Sequence, residues 1–296
     1  MISCNLCGSS FDGVVSTRWR KDGHDIVECP SCGLLFRAEL PSRAELQTIY
    51  GESYFSSAAG DTKGQGYLDY VGEEHLHRSA ARRRLERLEQ VIGPGRLLDV
   101  GAAAGFFVDE AGSRGWKACG IDISPTMVRW GHEQLGVDLT VGDLQDLDPS
   151  SGPFDVVTMW DYLEHSRDPA ADVARARMLL RPGGVLALST GDAATLVARL
   201  CGIRWHLLTP RHHNYFFTSR TVSDLLLRHD FEVRWSGHPG NAYSIAYLAY
   251  KLRTLFDTRA VRAFSALSEW PFLSRLTVPI NLFDIVTVIA VKRSSH

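Results

Sequence analysis

From Arg96 onward the chain alternates short apolar runs with segments whose apolar residues recur at helical spacing. The runs "RLLDVG" (Arg96 to Gly101), "KACGIDI" (Lys117 to Ile123), "DLTVGD" (Asp138 to Asp143), "FDVVTMW" (Phe154 to Trp160), "GVLALST" (Gly184 to Thr190), "FEVRWSG" (Phe231 to Gly237) and "DIVTVIAVK" (Asp284 to Lys292) have strand length. Helical stretches separate most of them, which predicts an α/β domain with a parallel sheet and crossover helices. "LRPGG" (Leu180 to Gly184) is a stop and turn before a strand. Upstream, "YLDYVGEEHLHRSAARRRLERLEQVIGPG" carries Leu76, Leu85, Leu88, Val91 and Ile92 at helical spacing and stops at Gly93-Pro94-Gly95. This helix feeds the first strand. Its arginines, Arg78, Arg82 to Arg84 and Arg87, read as a solvated face partly neutralised by Glu86 and Glu89 rather than an RNA-binding surface.

Composition narrows the partners. The chain has 296 residues, 45% of them hydrophobic, and a formal net charge of -2, so no global field draws it to nucleic acid or an anionic membrane. No apolar stretch approaches membrane-span length and the first residues lack the pattern of a signal peptide, so a cytoplasmic location is expected. Of six cysteines, four form two tight pairs, "CNLC" (Cys4, Cys7) and "CPSC" (Cys29, Cys32), each followed by a glycine. Two thiolates three residues apart on a tight turn chelate one side of a Zn²⁺, and a second such turn completes an all-sulfur tetrahedron. With two short strands predicted around Lys21-Asp22-Gly23, residues 1–40 read as a structural zinc ribbon. A unit this small depends on metal for its folding energy. Residues 41–75 read as a linker or lid containing the flexible "SSAAGDTKGQG", and 76–296 as the main domain.

In that domain the first strand ends in "LLDVGAAAGFF". Gly101 and Gly105 allow a sharp turn and a close ligand approach, and the following helix offers backbone N–H groups at its start. About twenty residues on, "GIDIS" puts Asp122 at the end of the second strand, where a carboxylate accepts from both hydroxyls of a ribose. "GDLQDL" puts Asp143 at the end of the third, suited to an exocyclic adenine amine. Taken with "FDVVTMWDYLEHSRDP" and "LLRPGGVLALST", these motifs in order from about Arg82 to Lys292 resemble the class I S-adenosylmethionine-dependent methyltransferases. The resemblance implies a Rossmann-like, seven-stranded methyltransferase sheet with helices on both faces. It implies cofactor contacts at Asp99, Gly101, Ala103, Gly105, Asp122, Ile123, Asp143, Leu144 and Trp160, with Ala103 standing where the family usually has glycine.

Methyl transfer asks the protein mainly to position the acceptor and, for a hydroxyl or carbon acid, to remove a proton. Two clusters offer a base: "DYLEH" (Asp161, Glu164, His165) and "TPRHHNYFFT" (His212, His213, Tyr215). The second resembles the "EHxxFFT" segment of methyltransferases from sugar, polysaccharide and antibiotic biosynthesis, including sugar C-methyltransferases that carry a four-cysteine zinc unit. That resemblance makes His213 the expected base, with Asp161 and His165 at the catalytic rim. "DYLEH" also resembles an acid-rich motif proposed to hold Mg²⁺ in ubiquinone-type catechol O-methyltransferases, although a pocket-wall role is preferred. The expected partner is a small-molecule acceptor. The alternatives are an RNA base methyltransferase, disfavoured by the missing basic surplus and by "DYLEH" in place of an N-P-P-Y-like motif, and a non-enzymatic binding scaffold. The segment 241–283, with the amphipathic "AYSIAYLAYKLRTLF", is expected to cover the acceptor pocket. Core packing of a lid helix is preferred there, with membrane-surface contact and homodimer packing as the other readings.

Overall fold

The computed structural model describes residues 2–11, 17–50, 55, 69–245, 248–249, 258–259, 261–262, 264 and 277–293. The predicted flexible run 56–66 and most of the helix predicted over 242–256 lie outside the described residues.

Strands β1 (Ile2–Ser3) and β2 (Ser10–Phe11) pair around the first cysteine turn. A hairpin follows, β3 (Thr17–Lys21) and β4 (His24–Glu28), turning through Asp22 and Gly23 at φ 51° and 83°. Paired left-handed residues match the twist of the flanking strands, which is why Asp-Gly serves here. Strand β5 (Leu35–Arg37) adds to β4. Helix α1 (Arg43–Ile49) starts at a Ser42 and Glu45 capping box, and α2 (Glu74–Leu88) buries Ala81, Leu85 and Leu88.

The main domain then runs β6 (Arg96–Val100), α3 (Phe106–Ser113), β7 (Lys117–Asp122), α4 (Pro125–Leu135), β8 (Leu139–Val141), β9 (Phe154–Trp160), α5 (Pro169–Leu179), β10 (Leu180–Gly191), α6 (Leu196–Cys201), β11 (Tyr215–Phe216), α7 (Ser219–Arg228), β12 (Phe231–Gly237), β13 (Asn241–Ser244), β14 (Thr277–Ile280) and β15 (Ile285–Lys292). Seven of these strands form one Rossmann-like sheet in the order β12, β15, β10, β9, β6, β7, β8. Five strands, β6 to β10, pair in parallel, while β15 lies antiparallel between β10 and β12. The sheet is therefore mixed where the run pattern predicted a parallel one. An antiparallel neighbour requires no crossover helix, so periodicity alone does not reveal its direction. Side chains such as Val157, Met159, Leu186 and Val288 are fully buried, as the central strands of a two-sided sheet require. Among the described residues, no helix is long and apolar enough to cross a membrane.

Candidate active site

The parallel strands end at one edge of the sheet, and a cleft of about 580 Å³ opens there. Asp99, Gly101, Ala103, Asp122, Ile123, Asp143, Leu144, Trp160, Asp161, His165 and His213 all line it. Gly105 does not. It caps α3 at φ 83°, and a Cβ on it would lie 2.8 Å from Val137 Cγ2. Gly101 sits at φ 75°, with the space of its missing Cβ bounded by Tyr162 at 3.0 Å. Both glycines are thus required by conformation and space together. Ala103 also occupies the left-handed region, at φ 47°, and its N–H donates to Asp122 Oδ2 at 2.7 Å. Asp122 Oδ1 accepts from the Ser124 N–H at 2.8 Å.

The residues fit a nucleoside on two observations. The turn presents backbone with almost no side chain, and a buried carboxylate at the strand end is already oriented by two N–H donors. Burial raises the Asp122 carboxyl above the usual range, against the pull of those two donors. Asp99 is fully buried and pushed up to about 7 by burial, although the Thr158 hydroxyl donates to it at 2.6 Å. Asp143 Oδ1 caps the Gln145 N–H at 3.0 Å.

Three titratable groups from two loops line the same cleft. Ligand atoms of Glu164, His165 and His213 lie within 4.8 Å of one another, and the two imidazoles meet edge to face at 4.7 Å. His165 Nδ1 is 2.6 Å from the Tyr50 hydroxyl and 3.0 Å from the His212 carbonyl, and burial lowers its pKa to about 4, so it is neutral. His213 Nδ1 lies 2.8 Å from the Leu207 carbonyl. A carbonyl only accepts, so Nδ1 carries the hydrogen and Nε2 is the proton-accepting nitrogen. Burial, reinforced by the charge of Asp161, raises Glu164 to about 8. Asp161, at φ 51°, has both oxygens engaged, by Arg84 at 2.7 Å and by the Ser189 hydroxyl at 2.8 Å.

Arg84 corrects the solvated-face reading of the arginine run. It reaches the cleft and stacks over Trp160 at 4.7 Å, while Arg78 and Arg82 pair with Glu110 from α3. Glu89 pairs with Arg114 instead. The spacing of Arg84 from the buried Ala81, Leu85 and Leu88 was compatible with a flank of the inward face, a signal that charge counting masked. Tyr50, His77 and His206 also line the cleft. Nothing in their local sequence marks them, because they arrive from separate segments.

The four paired cysteines form a second cluster. Cys4 and Cys32 sulfurs are 3.6 Å apart, as are those of Cys7 and Cys29, and all four lie within 4.8 Å of one another. A tetrahedron with Zn–S bonds of about 2.3 Å has edges of about 3.8 Å. The two turns have matching backbone bonds, Gly8 N–H to the Cys4 carbonyl and Gly33 N–H to the Cys29 carbonyl, both 2.8 Å. The donor set thus fits a closed, structural Zn²⁺ site.

The seven-stranded sheet and the glycine turn define a Rossmann-like domain with a cleft suited to a nucleoside. A family model described as a methyltransferase domain matches residues 73–235, more than half of the chain; the chain belongs to that family. It is similar to the ubiquinone biosynthesis O-methyltransferase of Xanthomonas axonopodis pv. citri, with 35% identity over 115 residues, 36% of this chain and 48% of that protein. The corresponding protein of Xanthomonas campestris pv. campestris shows 36% identity over 108 residues, 34% of this chain and 45% of that protein. The chain therefore spans about half the length of the curated relatives it matches. Among solved structures, the 1,6-didemethyltoxoflavin-N1-methyltransferase of Burkholderia thailandensis, with 1,6-didemethyltoxoflavin and S-adenosylhomocysteine bound, aligns with TM-score 0.53 at 15% identity, over 94% of this chain and 99% of that one. The magnesium protoporphyrin IX methyltransferase of Synechocystis, with bound S-adenosylhomocysteine, gives TM-score 0.51 at 17% identity, over 83% and 99%. These likenesses concern the fold.

Proposed function

We propose that the protein transfers the methyl group of S-adenosylmethionine to a hydroxyl or carbon acid of a small-molecule acceptor in the cytoplasm, with His213 as general base. The acceptor classes favoured are sugars, polysaccharide precursors and secondary metabolites. One observation carries the reading: His213 is held by the Leu207 carbonyl in the tautomer whose Nε2 accepts a proton, in the wall of the cleft that the glycine turn also lines. S-adenosylmethionine supplies an activated methyl group, so the chain's own work is binding, alignment and proton removal. Asp122 would hold the ribose, Asp143 the adenine edge, and Asp99, Ile123, Leu144 and Trp160 the walls of the cofactor half. Asp161, which accepts from Arg84 and from the Ser189 hydroxyl, would fix that arginine at the catalytic rim. His165, neutral and edge-on to His213, orients it. Cys4, Cys7, Cys29 and Cys32 would hold Zn²⁺ in a ribbon over residues 1–40, with 41–75 as linker and lid and 76–296 as the catalytic domain.

A second reading rests on the same geometry. Glu164, His165 and His213 together bring one carboxyl group and two imidazoles within 4.8 Å, a donor set that would suit a divalent cation once the carboxyl is ionised. Turnover that requires added Mg²⁺ or another divalent cation, in protein that keeps its zinc, separates it from a plain histidine base.

The test is single-turnover methyl transfer with labelled cofactor across nucleotide-sugar and phenolic acceptors. His213→Ala should lower the chemical step about 10²–10⁴-fold while S-adenosylhomocysteine affinity stays unchanged, with His212→Ala costing less. Rates unaltered by His213→Ala would remove the base assignment. Absence of S-adenosylhomocysteine binding in calorimetry would instead favour a non-enzymatic scaffold.

A further inference from the structure

The residue after His213 joins three separate parts of the chain. Asn214 is fully buried and uses both ends of its amide. Its Oδ1 accepts from the Arg37 guanidinium at 3.2 Å, and its Nδ2 donates to the carbonyls of His165 at 2.9 Å and Ser166 at 3.0 Å. Its main chain repeats the pattern: the Arg37 N–H donates to the Asn214 carbonyl at 2.9 Å, and the Asn214 N–H donates to the Glu164 carbonyl at 2.6 Å. Directly beyond it, β11 lies outside the seven-stranded sheet and pairs with β5, placing Tyr215 opposite Phe36 and Phe216 opposite Leu35. The four-cysteine unit is thus continuous, strand to strand, with the loop that carries His213.

Arg37 makes this arrangement costly. It is only 7% exposed, and its hydrogen-bond partners are Asn214 and His24 Nδ1, neither of them an acid. Burying a guanidinium against neutral partners carries a desolvation cost that an apolar contact would avoid. What the contact provides in return is direction: a planar donor fork fixes the amide of Asn214, and that amide fixes the backbone of Glu164 to Ser166 relative to His213.

We propose that Arg37 and Asn214 form a positioning clamp through which the cysteine unit sets the geometry between the His165 loop and the His213 loop. The inference rests on the functional reading above, since it assigns the clamp to the reaction that those loops serve. It gives the cysteine unit a role inside the active site: its loss would be felt first at the two imidazoles and not at the nucleoside half of the cleft, which α3, β6 and β7 build without it.

The test uses the 296-residue chain as purified, without chelator, and the variants Arg37→Gln, Arg37→Lys and Asn214→Asp. The last keeps the contact to Arg37 but sets a carboxylate against the carbonyls of His165 and Ser166. Two measurements are made on each: S-adenosylhomocysteine affinity by calorimetry and the imidazole ¹⁵N signals that report the tautomers of His165 and His213. Where an acceptor is in hand, kcat and KM are added. The clamp predicts affinity within about twofold of wild type, changed signals for both histidines, and a fall in kcat of about 10²-fold with little change in KM. Arg37→Lys should keep part of each. Wild-type imidazole signals in a folded Arg37→Gln or Asn214→Asp protein would overturn it. So would a parallel loss of S-adenosylhomocysteine binding, or failure of even Arg37→Lys to fold, because either makes the contact part of the general core. If wild type transfers no methyl group to any acceptor, the functional reading falls, while the imidazole signals still decide the clamp.

Discussion

Replacing Asp122 by alanine should separate the cofactor half of the cleft from the rest. A carboxylate offers about four lone-pair positions; in Asp122, one oxygen accepts from the Ala103 N–H at 2.7 Å and the other from the Ser124 N–H at 2.8 Å. The remaining lone pairs match two vicinal ribose hydroxyls. Each charge-assisted bond is worth about 1.5–3 kcal/mol, so losing two costs about 3–6 kcal/mol, or about 10²–10⁴-fold in Kd. The substitution also leaves two backbone donors without an acceptor, at about 1–3 kcal/mol each, so the melting temperature should fall. Titration calorimetry with S-adenosylhomocysteine, run well below the variant's melting temperature, isolates the binding loss. Asp122→Asn, which keeps one acceptor oxygen, should fall between. Burial already raises this carboxyl, so wild-type affinity should also weaken as the pH drops and the acceptor is protonated. A folded Asp122→Ala protein that binds within about threefold of wild type would show that the ribose lies elsewhere.

Asp99 offers a pH test of stability. Its folded pKa of about 7 lies above the unfolded value of about 4. Its contribution is therefore complete below about pH 4, declines by about 1.4 kcal/mol per pH unit between about pH 4 and 7, and is lost once the pH has risen through 7. Urea unfolding at about pH 5 and about pH 7 should show a smaller difference in Asp99→Asn than in wild type; an unchanged difference refutes the assignment. Metal analysis should find about one zinc per chain, and its removal by chelation should lower the melting temperature. A folded protein with no zinc and four freely titratable thiols would rule that out.

The elements that were legible are those whose cause is local. "LLDVGAAAG" announces a strand and a turn because Gly101 and Gly105 meet a conformational demand within a few residues. The strands from Phe154 to Trp160 and Phe231 to Gly237 coincide with their apolar runs. The two cysteine pairs announce a common site because each turn presents its own two thiols before the fold forms. His213 was found through resemblance to a motif, and its tautomer was not, since that depends on the Leu207 carbonyl.

Tertiary structure alone decided the rest, and the physical reason is sequence separation. The Asn214 amide meets an arginine 177 residues upstream, and His165 meets a hydroxyl 115 residues upstream. Neither pairing has a period or a spacing to read. Arg84 looks like its exposed neighbours until β9 and β10 place Trp160, Asp161 and Ser189 beneath it. The antiparallel β15 is likewise a property of the sheet, because an apolar run carries no direction until its neighbours supply the hydrogen-bond ladder. The sequence by itself thus determined the strand ends and the glycine turn that border the cleft, through local backbone demands. The fold decided which distant side chains line the cleft together, because only packing brings them within hydrogen-bond reach.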